Sequence, residues 1–112
     1  MFEYIEKHHD NNINLVVVFN SLAADGSIDN DKYDFYKTFN EEKSIDKIFF
    51  KNTDHTWYVN DIDIICNHIQ KYIKLYHIQK ICVIGHSCGG YASILTPFIL
   101  KQHNSDLQIK SI

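Results

Sequence analysis

Three short apolar runs, Ile13 to Phe19, Ile45 to Lys51 and Lys80 to Ile84, are separated by stretches long enough to hold a helix. Each run is too short for a core helix. Each is rich in Val, Ile and Phe, and none alternates with polar residues as a half-exposed strand does, so all three read as strands buried on both faces. Between the second and third runs lies the clearest helix. Ile62, Ile65, Ile69, Tyr72, Ile73 and Tyr76 recur at three- and four-residue steps and make one apolar stripe. Asn60 precedes it as a good N-cap, Asp61 and Asp63 fall in its first turn, and Lys71, Lys74 and His77 gather at its end, the arrangement the helix dipole favours. Strand, helix and strand in succession call for right-handed crossovers. The expected fold class is therefore α/β: a three-layer sandwich with a mainly parallel sheet and helices on both faces.

The rest of the chain fits around that frame. Met1 to Lys7 alternates weakly and reads as a leading strand, with His8 to Asn12 as its turn. Ser21 to Asp31 is a loop, Lys32 to Asn40 a short aromatic helix or packing segment, and Asn52 to Tyr58 a polar-aromatic loop. Leu107 to Ile112 begins a fourth buried strand. At 112 residues and 45% hydrophobic, the chain holds a single domain, residues 1–112, with enough apolar material for one core. Its formal charge is −3 and all 11 basic residues are Lys. A surface built on phosphates and guanine edges normally uses Arg, so no nucleic-acid partner is expected.

The longest apolar run, Leu15 to Phe19, cannot cross a bilayer, and the first residues lack the basic start and apolar stretch of a signal peptide. Cys66, Cys82 and Cys88 have no paired spacing, which suggests reduced thiols and a cytoplasmic location. Neither His8-His9-Asp10 nor Cys66-Asn67-His68 has metal-ligand spacing, so no metal or cofactor is expected.

One motif carries chemistry. Gly85-His86-Ser87-Cys88-Gly89-Gly90 stands between the third buried strand and a helix that carries Tyr91, Ile94 and Leu95 inward. Passing from strand to helix at one residue forces that residue into a strained conformation and lifts its side chain out of the turn. Neighbouring chain passes so close that Cβ atoms are poorly tolerated two positions to either side, hence Gly85 and Gly89. Ser87 is thus the candidate nucleophile, and the free N–H of Cys88 at the helix start the first donor to an oxyanion. The second donor is expected from the loop after Phe19, through the N–H of Ser21 or Leu22. A plain structural turn or a phosphate site at the helix N-terminus is the alternative, although no Gly-Lys-Ser/Thr follows.

Ile81 to Ala92 resembles the nucleophile elbow of the α/β-hydrolase superfamily, in particular small bacterial-type serine hydrolases whose elbow reads Gly-x-Ser-x-Gly-Gly-Tyr-Ala. The resemblance extends from Val17 through Trp57-Tyr58 and the long helix to the elbow, as the central part of such a domain. It implies a truncated α/β-hydrolase fold and a Ser-His-Asp/Glu triad cleaving esters, thioesters or related acyl bonds through an acyl-enzyme. In that family the acid and the histidine follow the nucleophile on later loops. Here 25 residues follow Ser87, and the His103 and Asp106 they contain are expected roughly 20 Å or more away along a helix. The catalytic acid and histidine are thus missing from this chain, which reads as a fragment with little activity of its own. A chain ending inside a strand would leave an apolar edge unpaired.

Other candidates are secondary. His55 and Trp57 are assigned to a substrate wall, against the alternative of a loop pinned by aromatic packing. His86 is expected beneath the turn, His68 and His77 at the helix surface, and the Cys88 side chain in the packing layer. Pro97 is expected to bend or restart the last helix. The expected partner is a small acyl substrate. The rival reading is a non-catalytic hydrolase-like module that binds a ligand or self-associates through an open sheet edge, or an inactive fragment.

Overall fold

A computed structural model describes residues 2–20, 43–52, 61–85, 88–103 and 107–111. In chain order they form β1 (Phe2–Lys7), β2 (Asn14–Phe19), β3 (Asp46–Asn52), α1 (Ile62–Tyr76), β4 (Lys80–Gly85), α2 (Cys88–His103) and β5 (Gln108–Ser111). The three apolar runs become β2, β3 and β4 with ends within about a residue of those expected, since β-branched runs between polar breaks leave little choice. The weak alternation at the start of the chain does form a strand. The segments 21–42 and 53–60, with the expected loop and aromatic helix, lie outside the described residues.

The five strands make one mixed sheet in the order β1-β3-β2-β4-β5. β1 runs antiparallel to β3, while β2 pairs parallel with both β3 and β4, and β4 pairs parallel with β5. The turn over His8 to Asn12 therefore does not make a hairpin. It carries the chain past β3 to β2, with Asn11 at φ 66° in the left-handed region that Asn tolerates.

Both described helices cover the same face of the sheet. Ile65, Ile69 and Ile73 of α1 and Ala92 and Leu100 of α2 join Leu15, Val17, Ile48, Phe50 and Val83 in one core. Topology explains why. The crossovers β3-α1-β4 and β4-α2-β5 step in the same direction along the sheet, so one handedness sends both helices to one side. Val16, Val18 and Phe49 form a second, smaller core on the opposite face with Ile45, Cys82 and Ile84. Among the described residues only the first of these faces carries helices; the segment from Lys32 to Asn40, where a further helix was expected, lies outside them.

The helix ends differ from the expected ones in detail. Asp61, not Asn60, is the N-cap of α1, and its side chain makes no capping bond; Asp63 does stand in the first turn. At the other end His77 adopts a left-handed conformation (φ 56°, ψ 43°), and the Ile78 N–H reaches back to the Ile73 carbonyl at 3.0 Å. That six-to-one closure brings two buried isoleucines together as the chain turns into β4. α2 does not restart at Pro97. It continues as one 16-residue helix, stabilised by Ala92, Ser93, Thr96 and Leu100 lying buried against the sheet and α1.

Candidate active site

The parallel strands β2, β3 and β4 all deliver their carboxyl ends to one edge. At that edge the chain leaves β2 toward β3 on one side and leaves β4 toward β5 on the other. Such a reversal opens a crevice between the two departing segments, the usual ligand position in an open α/β sheet. β4 ends at Gly85 and α2 begins at Cys88, so the junction from strand to helix is only residues 86 and 87 long. No acidic residue stands in the first turn of α2, leaving the positive end of its dipole uncompensated by its own side chains.

The neighbouring exit is set by the ladder. Phe19 is the register partner of both Gly85 on β4 and Phe50 on β3. Beyond it, the buried Asn20 donates its N–H to the Phe50 carbonyl at 2.9 Å, extending β2's pairing one residue past the strand. Ser21 and Ser87 each stand two positions past the Phe19–Gly85 pair in sequence. Of the residues expected in the site, Cys88 begins α2, while Ser87, Ser21, Leu22, His55 and Trp57 lie outside the described residues. The last two fall in the segment between β3 and α1, which leaves from the same edge.

Of the described histidines, His8 and His9 are at the opposite end of the sheet and His77 closes α1. His68 lies over β1 and β3, pairing with Glu6, packing on Tyr4 with ring centroids 4.5 Å apart and meeting Phe50 edge-on at 6.2 Å. His103 ends α2, about 22 Å of helical rise from Cys88, in keeping with the expected distance. Among the described residues no group of three His, Cys, Asp or Glu side chains is arranged to hold a metal ion. Burial, moderated by the Thr96 hydroxyl, pushes the Cys66 thiol up to about 11, so it remains an unreactive core group.

A polar group with four hydrogen-bond partners is one that sequence reasoning passed over. Asp46, fully buried at the start of β3, accepts hydrogen bonds from His8 Nδ1 (2.5 Å), the His9 N–H (2.8 Å), Asn12 Nδ2 (3.0 Å) and the Tyr72 hydroxyl (2.9 Å). The His8 ring also stacks on Tyr76 at 3.6 Å. This cluster ties the β1–β2 connection and α1 to the amino end of β3. It is an anchor at the far edge from the crevice. The one signal in the sequence was a carboxylate heading an apolar strand.

No protein-family model and no curated protein matches the chain. Among solved structures it is similar to MGS-MChE2, described as an alpha/beta hydrolase enzyme from the metagenome of lagoon sediments at Mar Chica, Morocco, with a TM-score of 0.50 and 12% identity. The match covers 96% of this chain but only 45% of that one, so the chain spans about half the length of its structural neighbour. At this identity the likeness is one of fold.

Proposed function

We propose that this chain carries the nucleophile portion of an α/β-hydrolase-type serine hydrolase acting on an ester, thioester or related acyl bond. The observation that supports it most is the strand ending at Gly85 and the helix starting at Cys88, with Gly-x-Ser-x-Gly spanning the junction at the edge where the sheet order reverses. The fold likeness to a solved alpha/beta hydrolase agrees with it. In this reading Ser87 Oγ attacks the substrate carbonyl and the leaving group departs, forming an acyl-serine that water then hydrolyses. The Cys88 N–H at the start of α2 holds the oxyanion.

The second donor is assigned to the N–H of Ser21 or Leu22, which follow β2 in the sequence. His55 and Trp57, from the segment entering at the same edge, are assigned to the substrate wall. In this reading the general base and its acid partner are supplied by later loops of the hydrolase-type arrangement, whose order places both after the nucleophile.

A fluorophosphonate probe tests the assignment in the natural gene product that contains this sequence. Labelling that disappears in Ser87→Ala is expected, and labelling unchanged by that substitution would refute it. The 112-residue chain itself is expected to hydrolyse p-nitrophenyl acetate no faster than its Ser87→Ala variant, since a serine without a base is a weak nucleophile. Turnover abolished by Ser87→Ala would show that this chain contains its own base.

A further inference from the structure

At the amino edge of the sheet, opposite the crevice, the starts of β2, β4 and β5 border a half-open cavity of about 700 Å³. Its volume lies within the roughly 300–1,000 Å³ typical of small-molecule sites. Val16, Ile45 and Cys82, residues of the second core, supply apolar wall, and Lys80, Lys101 and Lys110 supply the charge. No carboxylate is among the described residues that line it. In a chain whose net charge is −3, three ammonium groups around one apolar concavity are a marked segregation.

The register makes two of these lysines neighbours. Lys80 is aligned with Gln108 and Cys82 with Lys110, so Lys80 and Lys110 project from the same sheet face one diagonal step apart, about 8 Å between backbones. Both are exposed, and among the described residues neither has a carboxylate within ion-pair distance. Lys101 donates to the Leu107 carbonyl, which holds its ammonium at the rim where α2 passes into β5. Like charges set side by side without a counter-ion repel each other, and an anion between them relieves that repulsion while an attached apolar body covers the partly exposed Ile45 and Cys82.

We propose that this cavity binds a free amphipathic carboxylate, its head group between Lys80 and Lys110 and its apolar chain against Val16, Ile45 and Cys82. A half-open concavity of this volume suits one soluble molecule with a single tail rather than the flat surface of a membrane. The site is at the opposite edge of the sheet from the β4–α2 junction and does not depend on the hydrolase reading.

Calorimetric titration of the 112-residue chain with decanoate, decanol and acetate tests the proposal. Saturable one-to-one binding of decanoate is expected, with decanol and acetate each at least about tenfold weaker, the effect of losing head or tail. The Lys80→Glu/Lys110→Glu variant is expected to weaken decanoate about tenfold or more, from two partly screened charges reversed. The milder Lys80→Gln/Lys110→Gln pair should weaken it less. Lys71→Glu/Lys74→Glu on the outer side of α1 and Ser87→Ala should leave it unchanged, with thermal melts verifying the fold of each variant. Absence of saturable binding, equal binding of decanol, or an equal loss in the α1 pair would each overturn it.

Discussion

Asp46 shows how one residue can join separate parts of a chain. Burial by itself would raise its carboxyl, but the bonds from His8, the His9 N–H, Asn12 and Tyr72 outweigh that and hold it below the ordinary aspartate range. Burial and the same carboxylate push the Tyr72 hydroxyl far up, so it stays a donor. A depressed folded-state value means the stabilisation is fully present above the unfolded value of about 3.9 and is lost as pH falls through the folded one. Asp46→Asn is expected to cost about 1–3 kcal/mol at pH 7, since donors then face a group that can no longer accept from all of them. Urea unfolding at pH 7 and pH 3 checks this: the difference between wild type and variant should shrink in acid, and a constant difference would contradict the linkage. None of this was legible beforehand. The partners of Asp46 stand 26 to 38 residues away in the chain, whereas Gly85, Ser87 and Gly89 declare themselves within five positions.

For the elements, local signals served well where a single stretch decides the outcome. β-branched runs became β2, β3 and β4, and the stripe from Ile62 to Ile73 became the buried face of α1. They failed where a competing contact decides. Pro97 removes a helical hydrogen bond, yet burial on both sides of it keeps α2 continuous. His77 was read as a favourable charge near the end of α1; its larger role is to take the left-handed turn that a β-carbon disfavours. His77→Gly is accordingly expected to stabilise the fold by about 0.5–1 kcal/mol. A thermal melt of this exposed-site variant should move upward, and a decrease would mean that the imidazole makes a compensating contact.

Across the whole molecule, the α/β class was readable because alternating strands and helices admit few arrangements, and the crevice edge followed from it. Strand order was not readable, since nothing local tells β1 to pair backwards with β3 or α1 to carry the chain across β2. The core on the helical face concentrates the consequences of that order. Phe50, fully buried, stacks on Phe19 with centroids 5.5 Å apart and meets Tyr4 of β1 at 6.1 Å. Phe50→Ala is expected to cost about 3–5 kcal/mol, a large share of a small domain's stability. Phe98, 63% exposed, should tolerate Ala within about 0.5 kcal/mol in the same chemical denaturation experiment. Comparable losses at both sites would mean that the apolar core is not where the sheet places it.

The placement of β3 between β1 and β2 has a bearing on biosynthesis. β1 and β2 are made before β3 yet never touch as neighbours; β1 finds its ladder on residues 46–52, and β2 finds one there and a second on β4. A ribosome that has released only the first 45 residues therefore presents two sticky ribbons with no mate. Stalled nascent chains of that length should be digested readily by protease, and protection should begin only after the third ribbon has emerged.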